Sequence, residues 1–274
     1  MGQDWLRNMS VLETLARKIK KDHFVGSIYA LFDFLTAFPP KDFLDREKIK
    51  LFWKVRSYTM VGFKRVNNVY ELSRFIERIK LTGAFVECGV WRGGCAAVMA
   101  CVANGSGSNR KTWLFDSFEG LPEPSEIDGN QAKRFASNRS SGKLESINEC
   151  VASLQDVERL LFSELGIRTE NVIIQKGWFQ DVLPQFRNKI GPIALLRLDG
   201  DWYESTKCCL ENLYENVVPG GFVIIDDYGH WQGCKTAVDQ FLHEKKIVVR
   251  LQEIDYTGRF FQKPGPLFHE PAAP

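Results

Sequence analysis

The stretch IALLRLDGDWYEST, residues 193–206, holds the pattern that decides the fold of this chain. It begins as a short apolar run, typical of a buried strand, and continues into a helical pattern from about residue 204. Asp199 and Asp201 stand between the two parts. They place two carboxylates where a buried strand reaches the surface, which is the edge at which open parallel sheets bind their ligands.

The same alternation of apolar runs and helical patterns begins at Ala84 and continues along the chain. Helical patterns at 93–103, 153–165, 204–216 and 234–245 separate the runs AFVEC, TWLFD, NVIIQ, IALLRLD and GFVIID. This arrangement predicts an α/β fold with a doubly wound, mostly parallel sheet that helices cover on both faces. The runs IVVRLQEID and GRFFQK, joined by Tyr256, Thr257 and Gly258, predict a closing hairpin.

Two segments lie outside this alternation. Residues 1–80 carry helical periodicity, broken at Pro39 and Pro40, and predict a helical extension, an oligomer contact or lid, before a main domain at 81–274. The polar segment 119–148 is too long for an ordinary connection between two elements. A binding loop or lid and a flexible insertion are both open interpretations of it.

The composition excludes several classes of function. Lysine and arginine total 36 against 34 aspartate and glutamate, so the net charge of +2 gives no basis for binding nucleic acid or an anionic membrane. The seven cysteines form no CxxC pair and the four histidines lack zinc-motif spacing, which favours reduced thiols in a cytoplasmic protein and oxygen ligands for any metal. The apolar run at 24–38 is too short to span a bilayer.

Acidic residues end the first two apolar runs. Glu87 is followed by a turn that contains Gly89 and Gly93 and permits close backbone approach to a ligand. Asp116 ends the second run at a spacing suited to ribose hydroxyls. The two acids indicate an adenosyl group without a pyrophosphate, because Trp91 stands where a dinucleotide fingerprint needs glycine. Each acid taken singly is also typical of a turn or a helix cap.

Three further carboxylates end the fourth and fifth runs, namely Asp199, Asp226 and Asp227. If these two strands are neighbours in the sheet, the carboxylates converge, and a hard cation such as Mg²⁺ relieves their repulsion. The alternative is structural, because Asp201 and Glu204 match a capping box for the following helix and Asp227 matches a turn. Capping accounts for Asp201 but not for the other three aspartates together, which favours the metal site.

Seven motifs, in order, resemble those of the macrocin O-methyltransferases between about Arg56 and Lys263. They are SYTMVG, FVECGVWRGG, FDSFEGLPEP, KGWFQDVLP, LRLDGDWYEST, VVPGGFVIIDDYGHWQGCKTAVDQF and IDYTGRF. The resemblance implies a seven-stranded, Rossmann-like class I methyltransferase that uses S-adenosyl-L-methionine and Mg²⁺. It also implies methylation of a sugar or phenol hydroxyl in natural-product biosynthesis. Before Arg56, the aromatic-rich segment at 24–38 and the break at Pro39 and Pro40 match no pattern of that family.

The resemblance also implies roles for individual residues. The metal ligands would be Asp199, Asp226 and Asp227, and Asp201 would be the general base, with His230 as a second candidate. Mg²⁺ would stabilise the alkoxide that develops on a weakly nucleophilic sugar hydroxyl. The residues at or over the cofactor would be Tyr58, Thr59, Met60, Glu87, Gly89, Gly93, Asp116, Ser117, Gly177, Trp178 and Asp199.

Other functions stay open at the level of the sequence. One is a catechol or phenol O-methyltransferase with the same cofactor and metal, and another is a non-catalytic nucleotide-binding Rossmann-like protein. Trp91 disfavours a dehydrogenase. Tyr203 and Trp231 would line an acceptor pocket or, as aromatic residues beside a sheet often do, pack in the core. We expect a cytoplasmic homo-oligomer, a dimer or tetramer, that acts on a small-molecule hydroxyl acceptor.

Overall fold

The computed structural model describes Asp42 and residues 44–265. Its strands are β1 (Ala84–Cys88), β2 (Thr112–Asp116), β3 (Val172–Lys176), β4 (Ile193–Leu198), β5 (Val217–Ile225), β6 (Gln252–Glu253) and β7 (Arg259–Gln262). They form a seven-stranded sheet in the order β3-β2-β1-β4-β5-β7-β6. Strands β1 to β5 are parallel, and β7 runs antiparallel to both β5 and β6.

Helices cover both faces of this sheet. They are α1 (Arg46–Val55), α2 (Phe63–Arg78), α3 (Gly94–Ser106), α4 (Gly129–Phe135), α5 (Leu154–Glu158, continued by a π-helical turn at Arg159–Glu164), α6 (Phe179–Ile190), α7 (Tyr203–Leu213) and α8 (Gln232–Glu244). One apolar core joins the sheet to α1, α2, α3 and α5, and a second core joins the opposite face to α6, α7 and α8. The predicted doubly wound α/β fold is confirmed.

The central strands are apolar at consecutive positions because both of their faces are buried. In β4, Leu195 belongs to the first core and Leu196 to the second, as the two-residue period of a strand requires. The neighbours of β4 are β1 and β5. Arg197 is the exception in this strand, since it is charged and only 2% exposed.

The helices α1 and α2 pack on the sheet rather than standing apart from it. Phe52 of α1 stacks on Phe63 of α2, and Phe75 of α2 contacts Phe222 of β5 edge to face at 5.8 Å. Residues 1–41, including the break predicted at Pro39 and Pro40, lie outside the described residues. The division of the chain at 80/81 therefore stays a prediction.

The segment 119–148 is ordered by its own hydrogen bonds. Ser125 and Asp128 form a capping box around a short 3-10 turn that leads into α4, and Pro122 pairs with Ser146 in an isolated β-bridge. The interpretation of this segment as a flexible insertion is wrong. We call residues 119–148 the insertion below.

The predicted closing hairpin is confirmed as the antiparallel pair β6 and β7. Its first strand contains two residues only, because the run at 247–250 is not part of the sheet. Across the part of the chain that the structure describes, every helix is too short or too polar to cross a membrane.

Candidate active site

The carboxyl ends of β4 and β5 bring three predicted carboxylates together. Asp199 follows β4, and Asp226 and Asp227 follow β5, its neighbour in the sheet. One oxygen from each of the three side chains lies within 4.8 Å of the other two. Asp226 and Asp227 are buried, whereas Asp199 is half-buried. The predicted convergence is therefore present, and we call these three residues the aspartate cluster.

Arg197 supplies the positive charge beneath this cluster. Its guanidinium donates hydrogen bonds of 2.6 Å to Glu87 in β1 and of 2.6 Å to Asp226, and it lies 3.0 Å from Asp199. Glu87 and Arg197 face each other in the register of β1 and β4. A buried arginine needs such partners because an unpaired charge inside a protein is strongly destabilising.

A second guanidinium reaches the cluster from the N-terminal side. Arg65, in the first turn of α2, donates to Asp226 Oδ2 and lies 3.0 Å from Asp255, which precedes β7. Both oxygens of Asp226 thus accept hydrogen bonds from arginine, one from Arg197 and one from Arg65. Sequence reasoning missed both arginines, although a charged residue inside an apolar strand was a signal for Arg197.

The two arginines divide the aspartate cluster into one carboxylate with a lowered pKa and two with raised pKa values. Burial raises the pKa of Asp226, but the guanidiniums of Arg197 and Arg65 outweigh it, so this pKa lies below its usual range. Burial and the negative charge of Asp226 raise the pKa of Asp199 to about 6. Burial, with the charges of Asp201 and Asp199, raises the pKa of Asp227 well above its usual range. The two arginines therefore compensate the charge of Asp226 more fully than the charges of Asp199 and Asp227.

This donor set fits a hard divalent cation. The guanidiniums of Arg65 and Arg197 are outnumbered by the carboxylates, and oxygen ligands at this spacing are those that Mg²⁺ prefers. Asp199, Asp226 and Asp227 would each offer one carboxylate oxygen to the ion. The carboxylates that interact electrostatically with one or both arginines are those of Glu87, Asp199, Asp201, Asp226, Asp227 and Asp255.

Asp201 lies beside the cluster but is not a helix cap. The helix α7 begins after Trp202, which makes no side-chain cap, and the N–H of Tyr203 donates instead to Asp128 of the insertion at 2.7 Å. The N–H of Asp201 donates to Asp227 Oδ2 at 3.2 Å, and Trp231 Nε1 donates to Asp201 Oδ1 at 2.8 Å. The capping alternative for Asp201 is wrong. Burial and the charge of Asp199 raise the pKa of Asp201 to about 7.

His230, the second candidate base, has a partner at each ring nitrogen. Nδ1 lies 2.7 Å from the hydroxyl of Tyr256, and Nε2 lies 3.3 Å from the amide nitrogen of Gln131. Its ring also packs edge to face on Trp231 at 4.4 Å. These contacts occupy the imidazole, so the geometry favours Asp201 as the base.

A cavity open to solvent, with about 580 Å³ of empty space including its mouth, adjoins the aspartate cluster at the carboxyl edge of the sheet. It is lined by seven of the residues predicted to bind a cofactor, namely Met60, Gly89, Asp116, Ser117, Gly177, Trp178 and Asp199. Asp199 belongs both to this cavity and to the cluster. The insertion adds Gly120, Leu121 and Pro122 to the lining, which agrees with the interpretation of this segment as a binding loop.

Four other predicted residues lie behind the lining rather than in it. Glu87 is 1% exposed and bonded to Arg197, and burial raises its pKa to about 8. Gly93 has a left-handed φ of 91° and forms the N-terminal boundary of α3. Tyr58 and Thr59 are buried, with the Tyr58 hydroxyl bonded to Glu164 at 2.6 Å. Their contact with a cofactor stays a prediction.

Asp116 ties together the turns that follow β1 and β2. Its Oδ2 accepts hydrogen bonds from the N–H groups of Val90 and Trp91 at 2.7 and 2.9 Å, and its Oδ1 accepts one from Phe118 at 2.7 Å. Burial nevertheless raises the pKa of Asp116 above its usual range. The carboxylate thus shapes one wall of the cavity, and its predicted contact with ribose hydroxyls stays a prediction.

Two glycines permit the close packing around this cavity. A Cβ atom on Gly89, whose φ is 88°, would lie 1.8 Å from the backbone oxygen of Asp199. A Cβ atom on Gly94 would lie 2.6 Å from Thr59 Cβ and 2.7 Å from the backbone oxygen of Tyr58. The segment that contains Tyr58, Thr59 and Met60 therefore rests directly on the start of α3.

Comparison with known proteins assigns this chain to a family. The family model of the macrocin-O-methyltransferases (TylF) matches residues 40–263. The chain is 38% identical over 211 residues to 8-demethyl-8-(2,3-dimethoxy-alpha-L-rhamnosyl)-tetracenomycin-C 4'-O-methyltransferase of Streptomyces olivaceus, covering 77% of each chain. It is 36% identical over 212 residues to demethyldecarbamoylnovobiocin O-methyltransferase of Streptomyces niveus, covering 77% of this chain and 78% of that protein.

Comparison with a solved structure supports the same family. The O-methyltransferase NovP superposes with a TM-score of 0.65 at 35% identity, over 76% of this chain and 83% of that one. The fold is that of the class I methyltransferases that depend on S-adenosylmethionine. The chain belongs to the macrocin O-methyltransferase family and is an O-methyltransferase.

Proposed function

We propose that this enzyme transfers a methyl group from S-adenosylmethionine to a hydroxyl of a sugar carried by a small molecule, with Mg²⁺ held by Asp199, Asp226 and Asp227. The observation that carries the proposal is the position of Asp199, which borders both the cavity and the aspartate cluster. A methyl donor bound in the cavity and an acceptor hydroxyl at the aspartate cluster would meet beside Asp199.

The activity of the Streptomyces olivaceus relative supports a sugar as the acceptor. That protein acts at the 4' oxygen of a rhamnosyl group on tetracenomycin. A sugar hydroxyl has a pKa far above neutrality, so its methylation requires help in losing the proton. A cluster of carboxylates that holds a cation, next to a separate carboxylate that takes the proton, provides this help.

The residues of this chain divide the chemical work between them. S-adenosylmethionine, when bound, supplies an activated methyl group, and a divalent cation lowers the pKa of a nearby hydroxyl. Asp201 would accept the proton of that hydroxyl, because its pKa of about 7 allows it to exchange a proton near neutral pH. Gly89 and Asp116 shape the cavity so that donor and acceptor are aligned, and this positioning lowers the barrier further.

An acceptor panel tests the proposed function. We expect methylation of rhamnosylated and other glycosylated aromatic compounds in the presence of Mg²⁺, and little turnover of simple catechols. EDTA should abolish turnover and added Mg²⁺ should restore it, while calorimetry with S-adenosylhomocysteine should detect binding in both conditions. Methylation of catechols alone would overturn the sugar assignment, and full turnover in EDTA would overturn the metal assignment. The homo-oligomer stays a prediction, which light scattering checks.

A further inference from the structure

Trp231, the N-cap residue of α8, contacts the candidate base directly. Its indole Nε1–H donates a hydrogen bond of 2.8 Å to Asp201 Oδ1, and its side chain is buried. We infer that Trp231 is a positioning residue, which orients the carboxylate of Asp201 so that one defined oxygen receives the proton of the acceptor. This inference rests on the proposed function, in which Asp201 is the base.

The chemistry of the indole determines which oxygen is left for the proton. An indole N–H donates hydrogen bonds and cannot accept them, so Asp201 Oδ1 remains an acceptor towards Trp231. The backbone of Asp201 is held from the other side, with a left-handed φ of 55° and its N–H bonded to Asp227. Within the described part of the chain, Asp201 Oδ2 accepts no hydrogen bond. Oδ2 is therefore the oxygen that receives the proton.

The indole is itself held by aromatic packing. Trp202 meets it edge to face at a centroid distance of 4.8 Å, and Phe135 of the insertion meets it at 5.5 Å. Such edge-to-face pairs favour one ring orientation, and they keep the N–H pointed at Asp201. The insertion is thus linked to Asp201 through the ring contact of Phe135 with Trp231 and the hydrogen bond of Trp231 with Asp201.

A matched pair of substitutions tests the inference. Trp231→Phe removes the N–H that donates to Asp201 and keeps an aromatic ring. Trp113→Phe makes the same change in β2, where the indole packs on Phe115 and Phe186. We expect Trp231→Phe to lower kcat by about 10- to 100-fold without changing the Kd for S-adenosylhomocysteine. Trp113→Phe should retain kcat within about threefold. Full activity of the folded Trp231→Phe variant would overturn the inference.

A double-mutant cycle separates positioning from a general structural effect. If Trp231 acts through Asp201, adding Trp231→Phe to Asp201→Asn should cause no further loss of kcat. A further loss in the double variant would show that Trp231 acts independently and would overturn the inference, while leaving the proposed function intact. An Asp201→Asn variant with unchanged kcat would instead remove Asp201 as the base, and the inference would fall with that part of the proposed function.

A spectroscopic readout is independent of turnover. The chain contains seven tryptophans, and the two substitutions above assign the indole N–H resonances of Trp113 and Trp231. We expect Asp201→Asn to shift the Trp231 resonance and to leave the Trp113 resonance in place, since Trp113 packs on Phe115 and Phe186. An unchanged Trp231 resonance in Asp201→Asn would contradict the hydrogen bond on which the inference stands.

Discussion

Arg197 organises the site at the level of single residues. It occupies an interior position of β4, where the strand is otherwise apolar, and it pairs with Glu87 in one neighbouring strand and Asp226 at the end of the other. The sequence contained the signal for this arrangement, because a buried arginine requires carboxylates on adjacent strands. The partners of Arg65 could not be predicted in this way, since they depend on how α2 packs beside β5 and β7.

Removal of the Arg197 guanidinium should destabilise the protein. We expect Arg197→Met to lower the free energy of unfolding by about 3 kcal/mol or more, because it leaves Glu87 and Asp226 buried with less compensating charge. Urea denaturation followed by circular dichroism measures this change. The control is Arg168→Met, which breaks an exposed pair with Glu170 and should cost less than about 0.5 kcal/mol. Equal effects of the two substitutions would contradict the prediction.

Paired substitutions distinguish the two candidate bases. We expect Asp201→Asn to lower kcat by about 100-fold or more, because the amide cannot accept the proton. His230→Gln should change kcat by less than about threefold, because both imidazole nitrogens already have partners. Initial rates at saturating cofactor, with Kd for S-adenosylhomocysteine measured in parallel, decide between them. The reverse pattern would identify His230 as the base.

The turn after β1 sets the geometry of the cavity at the level of elements. The sequence predicted that its glycines permit close approach to the backbone. Gly89 lies so close to the backbone of Asp199 that a side chain would not fit between them. We expect Gly89→Ala to abolish binding of S-adenosylhomocysteine, because both the positive φ and the contact with Asp199 oppose a side chain. The control is Gly105→Ala in α3, where a Cβ meets nothing within 4 Å.

Calorimetry and thermal denaturation check this pair of glycine variants. Gly105→Ala should bind the ligand normally and should gain about 0.5–1 kcal/mol of stability, since alanine is the better helix former. Normal binding by a folded Gly89→Ala variant would contradict the predicted close contact.

The elements that sequence patterns missed have physical reasons for being missed. The helix α6 contains Pro184, which usually ends a helix, yet the helix continues because Val182, Leu183 and Ile190 bury their side chains against the sheet. The helix α4 is short and largely polar, with Ala132 fully buried, so it lacks the periodicity that identifies longer helices. The strands were predictable because burial on both faces demands continuous apolar runs.

At the level of the whole molecule, the charges of the site couple stability to pH. The pKa values of Asp199 and Asp201, about 6 and about 7, lie above the value of about 3.9 for an aspartate in an unfolded chain. The folded protein therefore binds these protons more tightly, and their stabilising contribution is lost as the pH rises through 6 and 7. Asp226, whose pKa is lowered, acts in the opposite sense but only in more acidic solution.

Mg²⁺ should replace the lost protons as the compensating charge. We expect the rise in Tm that Mg²⁺ causes, relative to EDTA, to be larger at about pH 8 than at about pH 5.5. Differential scanning fluorimetry at the two pH values measures this difference. Ca²⁺ and Na⁺ at matched ionic strength serve as controls for divalent charge and for screening. An equal rise at both pH values, or none at either, would contradict the proposed metal site.

The sequence alone predicted the architecture of the whole molecule better than the surroundings of its site. Strand order brought Asp199, Asp226 and Asp227 together as expected, because the carboxyl ends of neighbouring parallel strands share one edge. A binding loop was one interpretation of the insertion, but its individual hydrogen bonds with Trp202 and Tyr203 were not predictable, since they join residues far apart in the chain.

These two contacts have a consequence for attempts to retarget the enzyme by grafting loops from its relatives. The backbone oxygen of Pro122 and the carboxylate of Asp128 anchor the insertion to the start of α7, close behind Asp201. A transplanted loop that lacks either anchor would disturb Asp201, the proposed base, while changing the proposed acceptor pocket. Chimeras should therefore keep both anchor positions and exchange the residues between and after them.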